Sequence, residues 1–260
     1  LLSPLMLWAP DDPPVLAPIP WLGRMRGLGP GIHGWLLQQM RRVSSGWAEP
    51  LRELRRAHGL DDGLDPFSDG LISEPLTLCM WADELASRQP SWHSSTRTSG
   101  FVFYDPRNRD GLSPQLQAFL DAGPPPVVYT LGSTATHAAH RQLDLFLEGH
   151  QLVGGRAVLT TGREHLDAYS AHASESVFIT DYAPYDLLFA RASLVVHHGG
   201  VGTAGKAMAA GVPMVVIPDC NDQFDNAYRC ARAGVADVLP LARLRGDRLG
   251  ALIKAALADT

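Results

Sequence analysis

From Pro126 onward the chain alternates short apolar runs with amphipathic helical stretches, and this alternation limits the fold more than any other feature of the sequence. The runs "PVVYTLGS", "GRAVLTTG", "SVFITDYAP", "SLVVHHGG", "PMVVIPD" and "VADVLP" read as strands. Between them, helices are expected through "ATHAAHRQLDLFLEGHQL", "YDLLFARA", "TAGKAMAAG" and "QFDNAYRCARAG", with one more at the end. Short strands that are apolar throughout and separated by helices are covered on both faces, which predicts an α/β fold with a parallel, Rossmann-like sheet over residues 126–260.

The composition changes near residue 105. Residues 1–105 hold the tryptophans and clustered prolines such as "APDDPPVLAPIP" around one helical stretch, "GIHGWLLQQMRRVSSGWAEPLRELRRAHGL". Pro50 is expected to divide that stretch into two helices, because proline removes an intrahelical donor and crowds the preceding turn. Gly59 is the expected stop of the second. Residues 1–105 read as a part distinct from the regular half, and residues 106–125 as a linker with an amphipathic turn or two. At 260 residues, 45% hydrophobic and 19% charged, the chain has material for one large or two smaller soluble domains.

A net charge of −5 without a lysine or arginine run gives no electrostatic footprint for nucleic acid or anionic lipid. Cys79, Cys220 and Cys230 fit no metal-ligand spacing, and their odd number argues for a reducing cytoplasm over a disulfide framework. No apolar run approaches the roughly 18 residues of a membrane span. The opening "LLSPLMLWAP" has neither a basic leader nor the apolar length of a signal peptide, and it lacks an initiating methionine, so upstream chain is expected to be missing.

The stretch "LVVHHGGVGTAGKAMAAGVPMVVIPD", residues 194–219, contains G-x-G-x-x-G at Gly200, Gly202 and Gly205. Asp219 follows 19 residues beyond Gly200, where a dinucleotide-binding unit keeps its ribose carboxylate. Taken alone, these glycines predict an NAD-dependent oxidoreductase. That fingerprint usually follows the first strand of its domain, whereas three strands precede it here. A dehydrogenase also has no special use for the paired His197 and His198, or for Asn221, Asp222 and Gln223 after the next strand.

"HHGGVGTAGKAMAAGVPMVVIPDCNDQFDNAYRCARAGV" resembles the donor-binding signature of the family 1 nucleotide-sugar-dependent glycosyltransferases of the GT-B fold. The likeness is to the bacterial branch of glycolipid rhamnosyltransferases and natural-product glycosyltransferases, and to the related UDP-glucuronosyltransferases. It extends back through "FITDYAPYDLLFARASLVVHHGG" to "VYTLGS", which is similar to the first strand and phosphate loop of the family's C-terminal domain. In all it covers roughly residues 100–240, and the pairing of H-G-G-x-G-[ST] with D-Q at this spacing is specific. "DPP", "WAEPLRELRRAHGL" and "SGFVFYD" resemble the branch more loosely, which implies that residues 1–105 are a partial N-terminal, acceptor-side α/β domain of the GT-B fold.

The physical chemistry of these residues accords with the resemblance. A strand that delivers a glycine loop to a helix N-terminus presents unpaired N–H groups and the positive end of the helix dipole, suited to a diphosphate. Gly199, Gly200 and Gly202 allow close approach, His198 is placed to donate to a phosphate oxygen, and Thr203 adds a hydroxyl. Gly132 and Ser133 offer a second anion-binding turn at the carboxyl edge of the sheet. The family's base-binding segment matches "TDYAPY", which makes Tyr182 the aromatic candidate for stacking. Asp222 and Gln223 would accept from and donate to sugar hydroxyls. Each has a plainer competing role: a tight turn for the glycines, an N-cap for Thr203, a core ring for Tyr182, and helix capping for Asp222 and Gln223. His197 is read as structural.

One residue departs from the family pattern. Lys206 stands where many relatives carry a Glu or Gln that holds the ribose hydroxyls, and an ammonium cannot accept a hydrogen bond. A thymidine nucleotide, which has no 2′-OH, suffers less from this change than a uridine one. The resemblance implies metal-independent, inverting transfer of a hexose or deoxyhexose from UDP- or dTDP-sugar to a hydroxyl of a lipid or small molecule. No cofactor beyond that donor substrate is expected. The family's catalytic base is a histidine near the start of its N-terminal domain; no residue here matches its motif, so no catalytic residue is named. A non-catalytic nucleotide-sugar-binding chain remains the alternative beside the oxidoreductase.

Overall fold

The computed structural model describes residues 3–7, 9–15, 25–61, 69–103, 111–131 and 139–258. The chain divides into two units, Leu1–Val102 and Phe103–Thr260.

In the first unit, helix α1 (Pro30–Ser44) passes through a 3-10 turn, Ser45–Ala48, into helix α2 (Glu49–Ala57). The break falls just before Pro50, which sits in the first turn of α2, where its missing N–H breaks no intrahelical bond. Gly59 follows α2 with φ +66°, the left-handed conformation of a helix stop. Strands β1 (Thr77–Cys79) and β2 (Thr96–Thr98) pair in parallel with Thr77 opposite Thr96. Beside them Trp81 is fully buried, with its indole N–H donating to the Ala86 carbonyl at 3.0 Å and its ring meeting Trp92 edge-on.

The second unit opens with helix α3 (Pro114–Asp121), which is capped by the Ser113 hydroxyl and buries Leu116 and Leu120. Strand and helix then alternate: β3 (Val127–Thr130), α4 (Ala139–Val153), β4 (Ala157–Thr160), α5 (Leu166–Tyr169), β5 (Val177–Thr180) and α6 (Tyr185–Phe189). After them come β6 (Leu194–His197), α7 (Val201–Ala210), β7 (Met214–Val216), α8 (Gln223–Arg232), β8 (Ala236–Val238) and α9 (Gly246–Ala258). The six strands are all parallel, in the order β5-β4-β3-β6-β7-β8.

β3, β4, β6 and β7 are buried along their whole length, which is why they are apolar throughout, while the edge strands β5 and β8 are only partly covered. The order reverses between β3 and β6, which lie side by side with Tyr129 opposite Val196. At such a reversal the two flanking loops part and leave a crevice at the carboxyl ends of the strands. Below it, Tyr129, Phe146, Leu159, Leu194, Val196 and Leu249 fill a common core. Helices α4 and α9 pack together through glycines: a Cβ on Gly149 would lie 3.0 Å from Leu249 Cδ2, and one on Gly250 would lie 3.1 Å from the Gly149 carbonyl oxygen. α9 also lies against β6 and β7.

Candidate functional site

β6 carries its chain straight into the reversal point and ends on His197, which has no exposed surface. The His197 Nδ1 accepts the Gly199 N–H at 3.1 Å, so the neutral ring carries its proton on Nε2, which faces the Met214 sulfur at 3.2 Å. Burial, reinforced by the neighbouring His198, pushes its pKa down to about 3. His197 is therefore a neutral structural group that holds the loop, as its position in the strand led one to expect.

Gly199 takes φ +93°, and a Cβ there would meet Val216 Cγ1 at 2.9 Å and the Gln223 carbonyl at 3.1 Å. Only glycine satisfies both conditions. Gly200 is the N-cap of α7, and the carbonyl it contributes accepts the first helical bond from Ala204 N at 3.0 Å. The N–H groups of Gly200, Val201, Gly202 and Thr203 have no acceptor among the described residues. Thr203 lies in the first turn of α7, not at the N-cap that its sequence position also allowed.

His198 stands over this helix end. Its Nε2 would touch a Cβ on Gly200 at 2.5 Å, so the glycine is what lets the imidazole lie across the loop. Burial holds the His198 pKa below the ordinary histidine value, and the Asp222 carboxylate pulls the other way. Its Nδ1 is shielded from solvent and has no partner among the described residues. A neutral imidazole with an unsatisfied nitrogen, beside several free N–H groups at a helix N-terminus, is an arrangement that favours an arriving anion.

The loop after β7 meets the glycine loop directly. Asp222 precedes α8, and its Oδ2 accepts from the Asn226 amide at 2.9 Å. Gln223 is buried, with its Oε1 accepting from the N–H groups of Asp219 at 2.9 Å and Cys220 at 3.2 Å. Its carbonyl end thus braces the loop, which leaves the amide nitrogen for any outside partner. Asn226, fully buried, also donates to the Gly199 carbonyl at 3.0 Å. An Asp225–Arg229 ion pair of 2.7 Å, enclosed within the unit, helps to fix α8.

On the far side, Tyr182 follows β5 half-buried, with its carbonyl accepting from the Thr180 hydroxyl at 3.0 Å. Tyr185, three residues on, hydrogen-bonds Thr130 at the end of β3 and stacks on Phe189, while α6 packs against α7. Lys206 on α7 forms an ion pair with Asp186 on α6 at 3.2 Å. Gly132 and Ser133 lie outside the described residues. Asp219, the carboxylate of the dinucleotide reading, is exposed, and the glycine loop follows the fourth strand of the sheet, not the first. The structure thus brings His198, Gly199, Gly200, Gly202, Thr203, Asp222 and Gln223 together at one end of β6 and β7. Asn226 and Asp186 went unnoticed in the sequence. The signal for Asn226 was its i,i+4 spacing from Asp222, which puts both on one helix face.

Residues 150–260 match the model of the erythromycin biosynthesis protein CIII-like C-terminal domain. The chain is 34% identical over 190 residues to the glycosyltransferase GtfE of Amycolatopsis orientalis, which covers 73% of this chain and 44% of that protein. It is 32% identical over 219 residues to the O-mycaminosyltylonolide 6-deoxyallosyltransferase of Streptomyces fradiae, covering 82% of this chain and 46% of that one. The chain therefore spans less than half the length of either relative. Among solved structures, the glycotransferase of kitacinnamycin has the same fold, with a TM-score of 0.63 over 95% of this chain and 61% of its own, at 21% identity. The oxidoreductase alternative has no support among these relatives. By sequence and by fold together, the chain belongs to the family 1 glycosyltransferases of the GT-B fold.

Proposed function

We propose that this chain supplies the donor site of a glycosyltransferase that moves a hexose or deoxyhexose, with inversion, from a UDP- or dTDP-sugar to a hydroxyl of a lipid or small-molecule acceptor. The observation that carries the reading is the His198–Gly200 loop: free N–H groups and an under-satisfied imidazole converge on the N-terminus of α7, directly against the Asp222–Gln223 loop. The relatives' names, a glycosyltransferase and a deoxyallosyltransferase, support the same class.

In this reading the diphosphate lies against the first turn of α7. As an acceptor hydroxyl attacks the anomeric carbon, negative charge grows on the leaving diphosphate, and the fixed N–H groups of Gly200 to Thr203 with the His198 N–H stabilise it. Asp222 Oδ1 and the Gln223 amide nitrogen accept from and donate to sugar hydroxyls. Tyr182 is the candidate for the base contact, and Gly132 and Ser133, which lie outside the described residues, are the sequence's candidates for a second phosphate contact. The acceptor proton leaves to a general base that none of these residues provides. Three unpaired cysteines accord with a cytoplasmic setting.

Calorimetric titration of the chain with UDP, dTDP and NAD tests the reading: saturable binding of UDP or dTDP that disappears in His198→Ala supports it, and binding of NAD alone overturns it. Lys206 leads us to expect dTDP to bind more tightly than UDP. Because Lys206 is paired with Asp186, a glutamate there would face a like charge, so Lys206→Gln is the cleaner probe. The expected outcome is a gain of UDP over dTDP; an unchanged ratio of the two dissociation constants sinks the preference.

A further inference from the structure

We propose that Asn226 is a positioning residue of this site, a side chain that sets the diphosphate loop and the sugar-facing carboxylate at a fixed distance from each other. The inference rests on the donor-site reading above. Asn226 is fully buried on α8, and one nitrogen, Nδ2, donates to two acceptors from different elements: the Gly199 carbonyl at 3.0 Å and Asp222 Oδ2 at 2.9 Å.

The first bond aims a donor. In a trans peptide the C=O and the following N–H point in opposite directions. Holding the Gly199 carbonyl toward α8 therefore turns the Gly200 N–H away from α8 and toward the open end of α7, where it has no acceptor among the described residues. The preceding peptide is fixed independently, through the Gly199 N–H on His197 Nδ1. Gly199 is thus held at both ends in a conformation that only glycine tolerates, and the second clamp is Asn226.

The second bond orients an acceptor. With Oδ2 of Asp222 engaged, Oδ1 is the carboxylate oxygen left for a sugar hydroxyl. An amide suits this double task, since its nitrogen carries two protons in one plane. Aspartate offers no proton, serine offers one, and glutamine is a methylene too long for the same gap. Asn226 touches no substrate; it acts through Gly199 and Asp222, and it ties the leaving-group contact to the sugar contact through a single buried atom.

The test is calorimetry of the whole chain with UDP, UDP-glucose, dTDP and dTDP-glucose, on wild type, Asn226→Ala, Asn226→Asp, Asp222→Ala and the Asp222→Ala/Asn226→Ala pair, with circular dichroism as a fold check. In Asn226→Ala the bare nucleotide is expected to bind about tenfold more weakly. The nucleotide sugar should lose more, so the ratio of its dissociation constant to that of the bare nucleotide rises severalfold. In the Asp222→Ala background, adding Asn226→Ala should still weaken the bare nucleotide and leave that ratio unmoved. A role in packing alone would weaken both ligands by one common factor in either background, and that result, or unchanged binding, overturns the inference. Asn226→Asp keeps the volume and removes the donor, so it decides the matter if the alanine variant does not fold: wild-type affinities in it overturn the inference while the donor site stands. Failure of the wild type to bind any of the four ligands overturns the donor-site reading, and the inference with it.

Discussion

His197 and His198 are adjacent in the chain and meet different surroundings. His197 accepts a backbone N–H and must stay neutral to do so, and burial pushes its pKa down to about 3. Between that value and the ordinary 6.5, the unfolded chain binds a proton that the folded one refuses. The contribution of His197 to stability is accordingly constant above about pH 6.5 and is lost as the pH drops toward 3. His197→Gln keeps an acceptor and removes the titration, so its urea midpoint should depend less on pH across that interval; an unchanged slope would clear His197 of the effect. The structural place of His197 was legible, because a residue inside an apolar strand is buried where one just past its end is not; the phosphate contact of His198 is a proposal. Asn226 was only half legible: its spacing from Asp222 was there to see, but its other partner is a backbone carbonyl many residues away, and no periodicity marks a side chain that bonds to a loop.

At the scale of elements, the glycines around the start of α7 divide by what surrounds them. A methyl on Gly200 would run into the His198 imidazole, whereas one on Gly202 would meet nothing within 4 Å. Gly200→Ala should therefore displace His198 and weaken nucleotide binding as much as His198→Ala does, with little change in melting temperature. Gly202→Ala should stabilise the helix by about 0.5–1 kcal/mol. If the diphosphate occupies the open space over the first turn, the same methyl weakens binding, and a variant that is both more stable and fully competent would show that space to be unused. Circular dichroism melts and titration of the two variants side by side decide between these outcomes. The sequence marked all of these glycines alike, since the spacing of a motif does not tell a turn that needs positive φ from one that needs room for a neighbour or for a ligand.

On the scale of the whole chain, the sheet, its covering helices and the loops of the candidate site all belong to Phe103–Thr260. A fragment of residues 103–260 is expected to unfold in one cooperative transition and to bind UDP or dTDP with the affinity of the full chain. A loss of more than about tenfold would mean that the first unit contributes to the donor site. The strand and helix sequence of this unit was readable from its apolar periodicity, and the parallel direction followed from it. The lateral order β5-β4-β3-β6-β7-β8 was not, because strand neighbours are chosen by helix packing that leaves no local pattern. One consequence of that packing reaches the site from the opposite side of the sheet. At the seam between α4 and α9, Gly149 receives the Leu249 side chain and Gly250 lies against the Gly149 carbonyl and the Leu152 side chain, so a Cβ at either glycine would force its neighbours to give by a few tenths of an ångström. Since α9 also rests on β6 and β7, a single methyl at Gly250 acts as a wedge behind the two strands that end at His197 and Val216. The seam is expected to work as a set-screw for the loops at the carboxyl edge: amide exchange at Val195 and Val196 should rise in Gly250→Ala, and unchanged exchange would show that the seam and the strands are uncoupled.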